Sequence, residues 1–131
     1  MDKIPAIYCD IDGVVTQKLI TPDWDDLGQP NENMVRVINS LGRDFTIIFV
    51  TGRWNIGQEK VESFIKEVFP DIKCQAFCKP YDYQGSTAEY KLFVVKELEA
   101  KGYEFYLGLD DHGAVVGLLH NHGMLMAQVV S

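Results

Sequence analysis

An apolar run, Ile4–Cys9, ends in two acids separated by a single residue, Asp10-Ile11-Asp12, followed by Gly13. Side chains on a strand alternate with period two, so acids placed this way at a strand end project to one side. Two like charges 4 Å apart at an effective dielectric near 20 repel by about 4 kcal/mol. The net stability of a small domain is only about 5–15 kcal/mol. A fold therefore keeps such a pair only where a cation, a proton or a reaction makes use of it.

The rest of the chain alternates strands and helices. Residues 45–50, 73–78, 103–109 and 125–130 read as further strands. Asn31 can cap a helix whose apolar residues Met34, Val37, Ile38 and Leu41 recur at spacings of three and four, with Gly42 placed to end it. Val61, Phe64, Ile65 and Val68 repeat at helical spacing ahead of Pro70. Ser86-Thr87-Ala88-Glu89 forms a capping box that opens a helix running to Lys101, and residues 115–120 read as a short helix. Between the first strand and the first helix, residues 13–29 read as an irregular flap carrying Trp24 among Asp23, Asp25 and Asp26. Unbroken apolar strands alternating with helices predict an α/β, Rossmann-like fold: a five-stranded parallel sheet with helices on both faces.

With 131 residues the chain is expected to be one domain, 1–131, large enough to fold without disulfides or a structural metal. Its apolar runs are too short to span a membrane, and no basic stretch precedes an apolar one at the N-terminus, so neither a membrane span nor a signal peptide is expected. Cys9, Cys74 and Cys78 are odd in number and include no Cys-x-x-Cys pair, which fits reduced core residues of a cytoplasmic protein. A net charge of −7 opposes tight, sequence-independent binding to duplex nucleic acid, but leaves room for contact with a strand end.

In parallel sheets, ligands bind outside the carboxyl ends of the strands. The first strand here ends in Asp10 and Asp12, the second in Thr51-Gly52-Arg53 and the fourth in Asp110-Asp111. One crevice thus collects four carboxylates, a hydroxyl, a guanidinium and glycine backbone, and some positive charge must reside there. Oxygen donors without a neighbouring set of histidines or cysteines favour magnesium over zinc. Thr51 and Arg53 offer a hydrogen bond and a fork suited to phosphate oxygens. A magnesium site, a phosphate clamp and a free carboxylate together point to phosphoryl transfer through an aspartyl phosphate. Singly, each motif is weak: Asp-x-Asp-Gly also occurs in turns and calcium loops, and paired acids cap helices. Their joint placement after three apolar strands carries the reading.

These residues resemble the four motifs of the haloacid dehalogenase superfamily of aspartate-nucleophile phosphatases, in order along nearly the whole chain. They are Tyr8-Cys9-Asp10-Ile11-Asp12-Gly13-Val14-Val15-Thr16, then Ile47-Ile48-Phe49-Val50-Thr51-Gly52-Arg53, then a helical lysine best matched by Lys91, then Gly108-Leu109-Asp110-Asp111. The resemblance implies that Asp10 attacks phosphorus, and that Asp12 protonates the leaving oxygen and then activates water. It implies that Asp10, the Asp12 carbonyl and Asp110 hold magnesium, with Asp111 direct or through water, and that Thr51 and Lys91 bind the transferring phosphoryl group. Within the superfamily the chain is most similar to the 3′-phosphatase domain of bacteriophage polynucleotide kinase, on Asp23-Trp24, Asn31 to Met34-Val35, the Thr-Gly-Arg turn, Lys79 upstream of Lys91, and the stretch from Asp110 to Val129. That likeness implies a nucleotide or polynucleotide 3′-phosphate as substrate, with Gly52, Arg53, Lys79 and Trp24 on the binding side.

The sequence departs from that pattern in having no Gly-x-x-x-x-Gly-Lys phosphate loop, and in placing Tyr81, Tyr83, Gln84 and Thr87 where basic residues are usual. No long insertion separates the motifs, so no cap domain is expected, and the 13–29 flap is the only evident lid. Capless phosphatases either take large substrates or close the site by forming a homo-oligomer. The tetrameric sugar-phosphate phosphatases that release 3-deoxy-octulosonate close it that way, and their first motif also resembles Asp-Ile-Asp-Gly-Val-Val-Thr. The alternatives are thus a sugar-phosphate or other small-metabolite phosphatase and, in another class, a non-catalytic binding protein retaining the fold.

Overall fold

Strands that are apolar throughout must be covered on both faces. The computed structural model, which describes residues 2–17 and 26–130, shows how. The elements are β1 (Ile4–Cys9), α1 (Glu32–Leu41), β2 (Thr46–Trp54), a single 3₁₀ turn (Asn55–Gly57), α2 (Gln58–Val68), β3 (Cys74–Lys79), α3 (Thr87–Ala100), β4 (Tyr103–Asp110), α4 (Gly113–Asn121) and β5 (Met126–Gln128). All strand pairs are parallel, in the order β3-β2-β1-β4-β5. The chain runs outward from β1 through β2 to β3 and then returns to place β4 on the other side of β1. The strand order therefore reverses between β1 and β4, the place where open α/β sheets form their ligand crevice.

Residue parity assigns the two core layers. Ile7, Cys9, Ile47 and Phe49 pack with Ile38 of α1 and with Val61 and Ile65 of α2. Ala6, Tyr8, Ile48 and Val50, one residue out of phase, pack with Tyr90, Val94, Val95 and Leu98 of α3 and with Val115 and Leu119 of α4. The Ser86 hydroxyl accepts from the Glu89 N–H, and the Glu89 carboxylate accepts from the Ser86 N–H, so the capping box forms as read from the sequence. Asn31 caps α1 by accepting from the Met34 N–H at 3.1 Å.

The apolar pattern ends the second strand at residue 50, yet β2 continues to Trp54. Its ladder with β3 extends to the Thr51–Cys78 pair, shifts register and resumes at Trp54–Lys79. Gln58 pins the neighbouring edge by donating to the Ala76 carbonyl at 2.8 Å and accepting from the Cys78 N–H at 3.0 Å. Gly42 ends α1 as expected, in a right-handed conformation with φ −65° and with its N–H donating to the Ile38 carbonyl at 2.8 Å. Packing also requires it: a Cβ there would lie 2.5 Å from Ile72 Cγ2.

Of the flap, residues 13–17 and 26–29 are described. The Ile11 carbonyl accepts from the N–H groups of Val14, Val15 and Thr16, closing a tight turn directly behind Asp12. Thr16 then pairs with Pro30, and the Asn31 N–H donates to the Val15 carbonyl at 2.7 Å. The predicted lid residue Trp24 lies outside the described residues. Cys9, Cys74 and Cys78 are free thiols, the first and last buried. Among the described residues there is no cap domain, and no helix is long and apolar enough to cross a membrane.

Candidate active site at the β1–β4 switch point

Register brings the first two acids together. Tyr8 pairs with Gly108 and Cys9 with Leu109, and the Asp10 N–H donates to the Leu109 carbonyl, so Asp10 and Asp110 end neighbouring strands at the same level. Both share the parity of Tyr8 and Gly108, which aims them at the α3 side of the sheet. Parallel neighbours lie about 4.8 Å apart, and both carboxylates are buried. Lys91 supplies the counter-charge from α3. Its Nζ donates to Asp10 Oδ1 and to Asp110 Oδ2, each at 2.9 Å, and the lysine is only 3% exposed. Asp110 also accepts from the Tyr8 hydroxyl at 2.6 Å and from the His112 N–H at 2.9 Å.

Burial pushes the Asp10 carboxyl well above the ordinary aspartate range; Lys91 pulls it back and Asp110 pushes it further up. For Lys91, burial works to lower the value, but the facing Asp10 and Asp110 outweigh it, holding the ammonium above the usual lysine range and charged. The Tyr8 phenol is raised by burial and then by the two aspartates, so it remains a donor.

Asp12 occupies a different setting two residues on. Arg53 grips it through both arms of the guanidinium, Nε to Oδ2 at 3.0 Å and Nη2 to Oδ1 at 2.9 Å. Thr51 Oγ1 lies 3.5 Å from Asp12 Oδ2 and accepts from the Arg53 N–H at 3.1 Å. The buried Thr51 hydroxyl thus sits between Asp12 and the end of β2. A Cβ on Gly52 would lie 2.7 Å from Thr87 Cγ2, so glycine lets β2 pass close to the start of α3.

Asp10, Asp110 and Asp111 offer carboxylate oxygens all within 4.8 Å of one another. Two of these carboxylates share the Lys91 ammonium, and the donor set of all three is oxygen, which fits a hard divalent cation such as magnesium. The Asp12 carboxylate is not in this set; the sequence expectation for that residue concerned its main-chain carbonyl. Gly13, with φ +83°, stands against this group, where a Cβ would run into the Asp111 carboxylate.

The structure therefore gathers Asp10, Asp12, Thr51, Gly52, Arg53, Lys91, Asp110 and Asp111 in one crevice. Lys79 stands one residue removed, donating to Thr87 Oγ1 at 3.1 Å, the same threonine that packs on Gly52. Half-buried Tyr83 packs edge-on against Tyr90 at 5.3 Å and tilted against Phe93 at 6.3 Å. Tyr81 is exposed. Sequence reasoning missed Tyr8, which reads as one more apolar strand residue. It had a signal for the burial of Lys91, since Lys91 lies three and four residues before Val94 and Val95 on the buried stripe of α3.

No protein-family model and no curated protein matches the chain. The fold and crevice define a small Rossmann-like α/β domain, and solved structures share it. A chain in a structure of the Pnkp1/Rnl/Hen1 RNA repair complex superposes with a TM-score of 0.81 and 19% identity, over 97% of this chain and 42% of that one. A chain in a second Pnkp1/Rnl/Hen1 complex gives 0.80 and 21%, over 95% of this chain and 45% of that one. The present chain spans less than half the length of either. At these identities the likeness is one of fold.

Proposed function

We propose that this chain is a magnesium-dependent phosphatase that works through an aspartyl phosphate on Asp10 and acts on nucleotide or polynucleotide 3′-phosphate ends. The observation that carries the reading is the buried lysine bridging Asp10 and Asp110 beside an arginine-held Asp12. In the first step an Asp10 carboxylate oxygen bonds to phosphorus as the bond to the ester oxygen breaks, and Asp12 in its acid form gives that oxygen a proton. In the second, Asp12 takes a proton from water, the water oxygen bonds to phosphorus, and the bond to Asp10 breaks, releasing inorganic phosphate. Thr51 and Lys91 hold the phosphoryl oxygens throughout. Magnesium bound by Asp10, Asp110, Asp111 and the Asp12 carbonyl would offset the excess negative charge of the crevice and of the phosphate. The nucleic acid end is favoured over a sugar phosphate by the shared fold with chains of an RNA repair complex.

The test is magnesium-dependent phosphate release from a 3′-phosphorylated oligonucleotide, 3′- and 5′-mononucleotides and sugar phosphates. The expected outcome is preferential release from the 3′-phosphates, loss of all turnover in Asp10→Asn, and in Asp12→Asn a rate lower by about 10²–10⁴-fold with phosphoaspartate accumulating. Undiminished turnover in Asp10→Asn would remove the mechanism. Release from sugar phosphates alone would move the assignment to the metabolite phosphatases.

A further inference from the structure

Arg53 borders two spaces. Beyond the crevice where it grips Asp12, it lines a groove of about 360 Å³ formed with Leu27, Trp54, Ile56, Lys60 and Val61. Isolated exposed apolar side chains are common on any surface. Here Trp54, directly after Thr51-Gly52-Arg53, is 46% exposed, and Ile56, two residues on, is 89% exposed. Arg53 holds Asp12 on one side and lines this groove on the other, so the groove adjoins the crevice.

The lining selects among rings. It is mostly side-chain carbon, and a sugar, with hydroxyls on all sides, would lose hydrogen bonds on entering it. A nucleobase presents a flat π-face that stacks on an aromatic ring whatever its sequence identity.

We propose, on the basis of the phosphatase reading, that this groove receives the terminal nucleoside of the 3′-phosphorylated strand, with the base against Trp54 and Ile56. The groove then sets selectivity for nucleotide over ring-free phosphate esters, while the chemistry stays at Asp10.

Two measurements test it. One is the ratio of kcat/KM for a nucleoside 3′-phosphate to kcat/KM for glycerol 2-phosphate, which has a secondary phosphate ester but no ring. The ratio should fall about tenfold or more in Trp54→Ala and be largely kept in Trp54→Phe, as expected for a lost stacking partner. The other is tryptophan fluorescence in Asp10→Asn protein with magnesium: a nucleoside 3′-phosphate should quench it, and adding Trp54→Phe should remove that quenching. An unchanged ratio with no Trp54-dependent quenching, in protein that hydrolyses the nucleotide, overturns the groove assignment and leaves the phosphatase reading standing. If neither ester is hydrolysed, the phosphatase reading falls, and the quenching alone decides whether the groove takes a nucleotide.

Discussion

Asp10 and Asp12 leave the same strand two residues apart and enter different environments. The Asp10 side chain is 8% exposed, and its partner Lys91 is 4% exposed. The Asp12 side chain is 38% exposed against an Arg53 that is 11% exposed. A buried ion pair loses hydration on both sides, so it persists only where the surrounding structure holds it, as Tyr8, Asp110 and the His112 N–H do here. A rim pair keeps water within reach and can exchange partners at little expense in stability. The first arrangement suits a group that must be preformed and immobile, as a nucleophile is. The second suits a group that passes a proton to and from substrate and water.

Removing the buried cation breaks this comparison most severely. Lys91→Met leaves Asp10 and Asp110 facing one another without a counter-charge, and loss of one partner from a buried ionic group commonly destabilises by about 3–5 kcal/mol. Urea denaturation without divalent ions should show a loss of that order, and magnesium should restore part of it by supplying charge to the same carboxylates. A loss below about 1 kcal/mol would mean that the two acids accommodate each other without the lysine.

A smaller change separates hydrogen bonding from charge within the buried half. Tyr8→Phe removes the 2.6 Å donor to Asp110 Oδ2 but leaves the ionic contact with Lys91 and the His112 N–H. The expected loss is about 1–3 kcal/mol, the usual penalty for a buried acceptor deprived of one partner. Thermal denaturation measures it. Stability equal to wild type would show that Lys91 and the His112 N–H satisfy Asp110 and that Tyr8 only fills space.

These two residues also mark what the sequence made legible. Asp10, Asp12 and Asp110 stand at the ends of apolar runs, and the period of a strand with the crevice rule of parallel sheets is enough to bring them together. The Ser86 capping box is similarly local. Tyr8 was not legible, because an aromatic inside an apolar run reads as core, and its hydroxyl partner is 102 residues away in sequence. The grip of Arg53 on Asp12 depends on β2 running on to Trp54, which follows from the ladder with β3 and the Gln58 clip and not from any apolar pattern. Local periodicity locates strand ends; which donors converge on a given oxygen is decided by side chains distant in sequence.

The exposed half of the comparison gives the smallest stability effect and the sharpest separation of stability from function. Arg53→Met removes a two-armed contact with Asp12 and a hydrogen bond to the Asp26 carbonyl, but the Asp12 carboxylate left behind is 38% exposed and retains water, so the loss should be about 1 kcal/mol. Its denaturation midpoint should stay close to wild type, in contrast to Lys91→Met. Turnover should nevertheless fall, because Asp12 loses the fork that aims it. Arg53→Lys tests the cause: it keeps the charge and loses the planar two-armed geometry. If orientation is what Arg53 supplies, lysine should recover less than half of the lost kcat; if charge alone matters, lysine should restore it almost fully. A large stability loss in Arg53→Met would place Asp12 in the same class as Asp10 and remove the structural basis for the proposed division between a fixed nucleophile and a mobile acid–base group.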